Sequence, residues 1–382
     1  MQTYRTSPHH DKPGGFRATK RDKAPHTIHH ADVIRADLEL LDSRTPNPRD
    51  RVRAPLRQPL PSKRLPAEAP KHQAFPPPAS IPAWARASGR AGEGDPLFAA
   101  GAALALLDAA LRADPPASGA LRARLALQSA AASAKILHLN ADEAALRDLH
   151  FAVGDPLDPT ANLVSLWRDG ADRPPGLDPS RTFQAAARLD LALSDPNGLA
   201  LSLKSCTGEG DPVSAAANAA ALAFGAVPDA PPPEAEILAL WAFDMVIALR
   251  LRWPRPVPLI ATKILDASLR LPGAARRPRP GEPAWPNAAT GAIALAAASA
   301  LDLAADLARR SNTLGAVAPK LRSKPAQTIV DLLLDQDCVS AAEAARHAPM
   351  TGRAARRLFD RLVLLGAVRE LSGRPAFRLY GL

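Results

Sequence analysis

The sequence predicts a mainly α protein in three segments: a disordered basic tail (1–80), an all-α helical domain (81–317) and a C-terminal domain (318–382) of three helices and a β-hairpin. Three observations carry this. Hydrophobic residues make up 47% of the 382, enough for a sizeable core, which excludes disorder of the whole chain. Between residues 93 and 317 apolar residues recur at helical spacing, and no alternating run of β-branched or aromatic residues stands out. Charge then separates the ends from the middle. Residues 1–92 carry 17 Lys+Arg and 8 Asp+Glu, residues 93–317 carry 20 and 24, and residues 318–382 carry 11 and 6. Both ends are basic around an acidic middle, so a polyanionic partner is expected to meet the ends.

Residues 1–92 hold 14 of the 40 prolines, including Pro76-Pro77-Pro78, and have no sustained apolar period beyond a short stretch near Asp32 to Leu41. Such chain buries too little apolar surface to offset its ordering entropy, so it is expected to be disordered. Five of its histidines (His9, His10, His26, His29, His30) lack a Cys or acidic partner at metal-site spacing, so no metal is assigned.

In the middle, Asp95 followed by Pro96 reads as an N-cap with proline at the first helical position, opening a helix to about Ala113. A second helix is expected from Leu121 to Leu139, and a third, short one capped by Asn140 with Glu143 three residues on. Further helical patterns cover Ser180–Leu193, Pro212–Phe224, Glu234–Leu251, Pro258–Leu271 and Ala288–Arg310. Their Ala-lined faces suit close helix packing.

Candidate chemistry in this middle is thin. Asp244 interrupts an apolar run, and a buried carboxylate needs a partner, for which Arg250, Arg252 and Lys263 are the candidates. Asp302 and Asp306 stand one turn apart, but no second carboxylate pair completes a metal site, and Asp306 faces Arg309 and Arg310. Cys206 reads as a loop residue with no His beside it. With no phosphate-cradling glycine loop and no zinc pattern, the expectation is no enzyme, no catalytic residue and no cofactor, the alternative being a small-molecule sensor or enzyme that uses a pocket in the helical domain. Two cysteines form no disulfide framework, no apolar signal core opens the chain, and Ile237 to Leu249 is too short to span a bilayer. A soluble, cytoplasmic protein without a membrane partner is expected.

The last segment is more specific. A helix opens at Lys324-Pro325 and runs to Asp335. Ser340-Ala341-Ala342-Glu343 is a capping box for a second, ending near His347. Thr351 caps a third that runs to Leu365 and stops at Gly366. Val368–Leu371, a turn at Ser372-Gly373-Arg374-Pro375, and Phe377–Tyr380 read as a hairpin. Three helices and a hairpin in this order form a winged helix-turn-helix, whose third helix enters the DNA major groove.

At about 100° per residue, Arg353, Arg356, Arg357 and Arg361 share an arc of roughly 140° with Asp360, while Ala354, Ala355, Leu358, Phe359, Leu362, Val363 and Leu365 take the other side. Leu364 alone breaks the split. The candidate DNA contacts are therefore Thr351, Arg353, Arg356, Arg357 and Arg361, with Arg374 at the wing tip and Arg378 on its strand. Asp360 is expected to pair with Arg356 or Arg357. The bland alternative is a solvated Arg/Asp face on a helix that packs or dimerises, with Leu364 marking a protein partner or self-association.

Several stretches carry a resemblance: Ile81-Pro82-Ala83-Trp84-Ala85-Arg86, the run from Ala242 to Pro258 (AFDMVIALRLRWPRPVP), Arg353 to Val363 (RAARRLFDRLV) and the ending Val368 to Leu382. Together they resemble the alphaproteobacterial domain-of-unknown-function 1403 family, over about residues 80–382. The resemblance implies no activity. The C-terminal part is also similar to the winged helix that closes many Fic-type proteins, with Leu371-Ser372-Gly373-Arg374 as the wing. His150-Phe151-Ala152-Val153-Gly154-Asp155 lacks the Pro, Asn and Arg of the Fic motif, so nucleotidyl transfer is not implied.

Overall fold

Helices form in this chain where a cap meets a short apolar period. The computed structural model describes residues 74–86, 95–151, 158–208, 210–271, 273, 276–321, 324–372 and 377–382. Among these, α1 spans Pro96–Arg112, α2 Ser118–Ile136, α3 Glu143–Phe151, α4 Pro159–Asp172, α5 Pro179–Ala187, α6 Pro196–Cys206, α7 Pro212–Gly225 and α8 Pro232–Arg250. Then follow α9 (Ile260–Lys263), α10 (Trp285–Val317), α11 (Lys324–Asp335), β1 (Val339–Ser340), α12 (Ala341–His347), α13 (Gly352–Leu364), β2 (Arg369–Glu370) and β3 (Leu379–Gly381). The protein is mainly α, as expected.

Five helices open on Asp-Pro. Asp95, Asp158, Asp178, Asp195 and Asp211 each accept a backbone N–H of the first turn through the side chain, with proline at the next position. The carboxylate satisfies a donor that has no helical partner, and the proline ring presets φ where no N–H is needed. Two of these helices, α4 and α6, were not expected, and Cys206 is the buried last residue of α6 rather than a loop residue. The cap of α3 is Asp142, whose Oδ1 accepts Ala145 N–H at 2.8 Å, not Asn140.

The centre of the fold is α8. Every residue from Ala235 to Ala248 is buried, so this helix is apolar all round, with only Glu236 and Asp244 charged along that run. Alanines at 215–217, 219, 220 and 223 let α7 lie close against it. The two most deeply buried tryptophans have polar partners: Trp167 Nε1 donates to Ser133 Oγ at 2.9 Å and Trp285 Nε1 to the Ala217 carbonyl at 3.0 Å.

Asp244 is buried, with no ion pair among the described residues. Its oxygens accept the N–H groups of Leu259 (2.9 Å) and Ile260 (3.2 Å), so Arg250, Arg252 and Lys263 are not its partners. That contact fixes the start of α9 and limits it. The helix expected over Pro258–Leu271 is a four-residue turn followed, after Asp266 caps Ser268 N–H at 3.0 Å, by a short 3₁₀ turn.

The helix α10 is longer than expected and, with the turn after it, Trp285–Leu321 is long and apolar enough to cross a bilayer by length and composition alone. Here it is a core helix: Ala289, Ala292, Ile293, Ala296, Ala297 and Ala300 are all fully buried. Asp302 and Asp306 form no metal cluster among the described residues. Asp306 instead holds Arg310 at 2.6 Å and Arg309 at 3.3 Å.

Residues 1–73 of the expected tail lie outside the described residues, and only residues 74–80 of it can be compared. There the expectation of disorder needs correcting. Phe75 N–H donates to Asn312 Oδ1 and Asn312 Nδ2 donates to the Phe75 carbonyl, both at 2.8 Å, and Ile81 and Ala85 are buried. One amide thus satisfies both backbone groups of an extended residue whose proline neighbours cannot donate.

At the C-terminus β1 follows α11, α12 and α13 come next, and β1, β2 and β3 form a three-stranded antiparallel sheet in the order β1-β3-β2. The β2–β3 pairing (Arg369↔Gly381, Glu370↔Tyr380) is the hairpin read from the sequence; β1, pairing Val339↔Tyr380, is an additional strand. Pro66–Leu382 forms one compact unit, so the helical and C-terminal segments share a continuous core.

Candidate nucleic-acid interface

The site is built on α13. Thr351 sits in extended backbone and its Oγ1 accepts Ala354 N–H at 3.2 Å, so it acts as the N-cap. Ala355, Phe359 and Leu362 are fully buried, and the Phe359 ring stacks on Tyr380 of β3 with centroids 4.3 Å apart. This anchor sets the rotation of the helix, and Arg353, Arg356, Arg357 and Arg361 are all exposed in consequence. Arg361 donates to the Lys320 carbonyl at 3.4 Å. The other three have no ion-pair partner within 4.0 Å among the described residues.

Two expectations change. Asp360 pairs with Arg378, at 3.6 Å, rather than with Arg356 or Arg357, and Arg378 also lies 3.8 Å from Glu370. Arg378 is therefore a neutralised cation. The Tyr380 hydroxyl beside it, with Glu370 and Asp360, holds its guanidinium above the usual range. Second, the buried arc is narrower than the sequence arithmetic gives: Ala354, Val363 and Leu365 are exposed, and Leu364 stands 86% exposed. An edge residue of an amphipathic arc is covered only if a neighbouring element overhangs it, and none of the described residues does so there. Arg374 lies in residues 373–376, outside the described part.

Beside this face a cleft of about 280 Å³ is lined by Ser340, Arg356, Asp360, Arg378 and Tyr380. The neighbouring thiol of Cys338 is buried, and burial together with Asp337 pushes it up to about 12, so it is no nucleophile at neutral pH.

The geometry defines a helical protein whose C-terminal helix exposes a row of arginines. A family model described as "Protein of unknown function (DUF1403)" matches residues 71–382, and the chain belongs to that family. No curated protein matches it.

Proposed function

We propose that residues 318–382 form a winged helix-turn-helix that binds duplex DNA through α13, making the protein a cytoplasmic DNA-binding or regulatory protein without catalysis or cofactor. One observation carries the reading: Arg353, Arg356, Arg357 and Arg361 are exposed together on one helix whose opposite face is locked by Phe359. Unpaired guanidiniums one turn apart suit successive phosphates or a guanine edge. The order of α11 to β3 and the likeness of the wing to that of Fic-type proteins support the same reading. Salt titration of duplex binding tests it. With about three phosphates neutralised, log affinity falls against log salt with a slope near −3. An Arg356→Ala, Arg357→Ala variant flattens it by about two. Absence of any salt-sensitive duplex binding at low ionic strength sinks the reading.

A second reading, a protein-interaction scaffold, is favoured by the exposed run Val363, Leu364 and Leu365 at the end of the same helix. Under it Leu364→Asp abolishes self-association or partner binding and leaves duplex binding untouched.

A further inference from the structure

Far from α13 in sequence, the helical part carries a second basic concavity. A cleft of about 300 Å³ is walled by the end of α2, the first turns of α8 and the segment between α9 and α10. Five cations line it (Lys135, Arg270, Arg276, Arg277 and Arg279) against two acids, Glu236 and Asp266, within a segment, 93–317, whose acids outnumber its bases.

The fold uses two of these cations for itself. Arg277 is held by Glu236, whose side chain is 3% exposed, and Arg276 by Glu282 at 2.8 and 2.9 Å. These pairs order the connecting segment against α8. Asp266 caps its own 3₁₀ turn through Ser268. Lys135, Arg270 and Arg279 are left over: none lies within 4.0 Å of a carboxylate among the described residues. Three cations from two chain segments, Lys135 beside Arg270 and Arg279, converge on one concave site, and the charges of Asp266 and of nearby Glu282 offset them only in part, so a net positive charge remains.

We propose that this cleft binds a small phosphorylated molecule carrying two or three negative charges. The charge left over by the internal pairs matches such a ligand. Arginine forks fit the oxygens of a phosphate, and the volume lies at the small end of ligand pockets. The site is concave rather than a track along an exposed helix, which favours a compact ligand over a polymer. It is independent of the α13 reading, since none of its residues belongs to the C-terminal segment.

Calorimetric titration of the full chain with inorganic pyrophosphate at constant ionic strength tests the proposal. Saturable one-site binding is expected, weakened at least ~10-fold by Arg270→Gln with Arg279→Gln and ~3-fold by Lys135→Gln, as expected for losing charge-assisted contacts. All three positions are exposed and outside the internal pairs, so circular dichroism of the variants is expected to match the parent. Arg353→Gln with Arg357→Gln leaves pyrophosphate binding unchanged. No saturable binding to the parent chain overturns the proposal. So does binding that survives the double substitution, or citrate binding as tightly. Loss of duplex binding in the Arg270/Arg279 variant without any pyrophosphate effect overturns it in favour of a nucleic-acid surface.

Discussion

Arg124 of α2 and Asp337, in the turn between α11 and β1, meet at 2.6 Å with their side chains only 10% and 7% exposed. The second carboxylate oxygen of Asp337 takes Arg147 of α3, also at 2.6 Å, and Arg124 reaches the Leu382 carbonyl at 3.4 Å. Glycines permit this approach: a Cβ on Gly119 would lie 2.6 Å from the Asp335 Cα, and one on Gly381 would lie 2.5 Å from the Asp337 carbonyl oxygen. One carboxylate thus ties the C-terminal segment to two helices of the middle.

Removing that carboxylate leaves the buried Arg124 without a carboxylate partner and Arg147 with only Glu143, at 3.4 Å. Asp337→Ala is expected to cost about 3–5 kcal/mol, as for breaking a buried pair from one side, read as a lowered denaturant midpoint. Burial pushes the Asp337 carboxyl up, but Arg124 and Arg147 outweigh it and hold it below the usual carboxylate range. Its contribution is therefore complete above the unfolded pKa near 4 and is lost as pH falls through the lower folded value. The Asp337→Ala chain is expected to lose that part of its acid sensitivity. An unchanged acid limb counts against the pairing.

Asp244 has the opposite sign. Complete burial raises its carboxyl to about 7, against the two N–H bonds that favour the anion. Between about pH 4 and 7 the folded state holds a proton that the unfolded chain has released, so this residue makes stability fall with rising pH across that window. The expected size is on the order of 4 kcal/mol, from about three pH units at ~1.4 kcal/mol each. Asp244→Asn keeps an acceptor for Leu259 N–H and carries no charge. Relative to the parent it is expected to gain stability at pH 8 compared with pH 5, measured as the difference in melting temperature.

How far the sequence exposes this architecture depends on whether a signal is local. The caps are local, and Asp95-Pro96 identifies α1 from two residues. The same dipeptide at Asp158, Asp178, Asp195 and Asp211 carries the same physics, and reading it throughout finds α4 and α6. The phase of α13 is local too, which is why Phe359 falls on the buried side. Partners are not local. Asp244 bonds the backbone 15 residues on, Asp360 turns to Arg378, and Asp337 finds arginines about two hundred residues away, distances over which spacing says nothing. The pyrophosphate-sized cleft is half local: Arg270, Arg276, Arg277 and Arg279 lie within ten residues, but only the fold brings Lys135 and Glu236 to them.

Phe359 tests the anchor of the basic face. It is fully buried, stacked parallel to Tyr380, and its truncation leaves a cavity between α13 and β3. Phe359→Ala is expected to cost about 3–5 kcal/mol, with Phe359→Leu costing less because most of the volume is kept. Equilibrium unfolding of the two variants measures it. A loss below about 1 kcal/mol for the alanine variant is incompatible with this packing.

Asp360 is the one acid on the arginine face, and it decides how that face meets phosphate. It lies 3.6 Å from Arg378 in an exposed setting, so the pair itself adds little to stability. Its larger effect is on binding: it keeps a negative charge among the arginines and occupies the strand cation. If α13 contacts duplex DNA, Asp360→Asn removes a repulsion and leaves Arg378 with only the more distant Glu370. Duplex affinity is then expected to rise several-fold at low ionic strength, and the salt slope to steepen by about one as Arg378 takes a phosphate. Asp331→Asn, an exposed acid on α11 already bonded by Gln327 at 2.8 Å, is expected to leave both unchanged. A face that serves protein contact through Leu364 predicts otherwise: Asp360→Asn leaves the salt slope where it was, and the two substitutions become indistinguishable in a filter-binding titration.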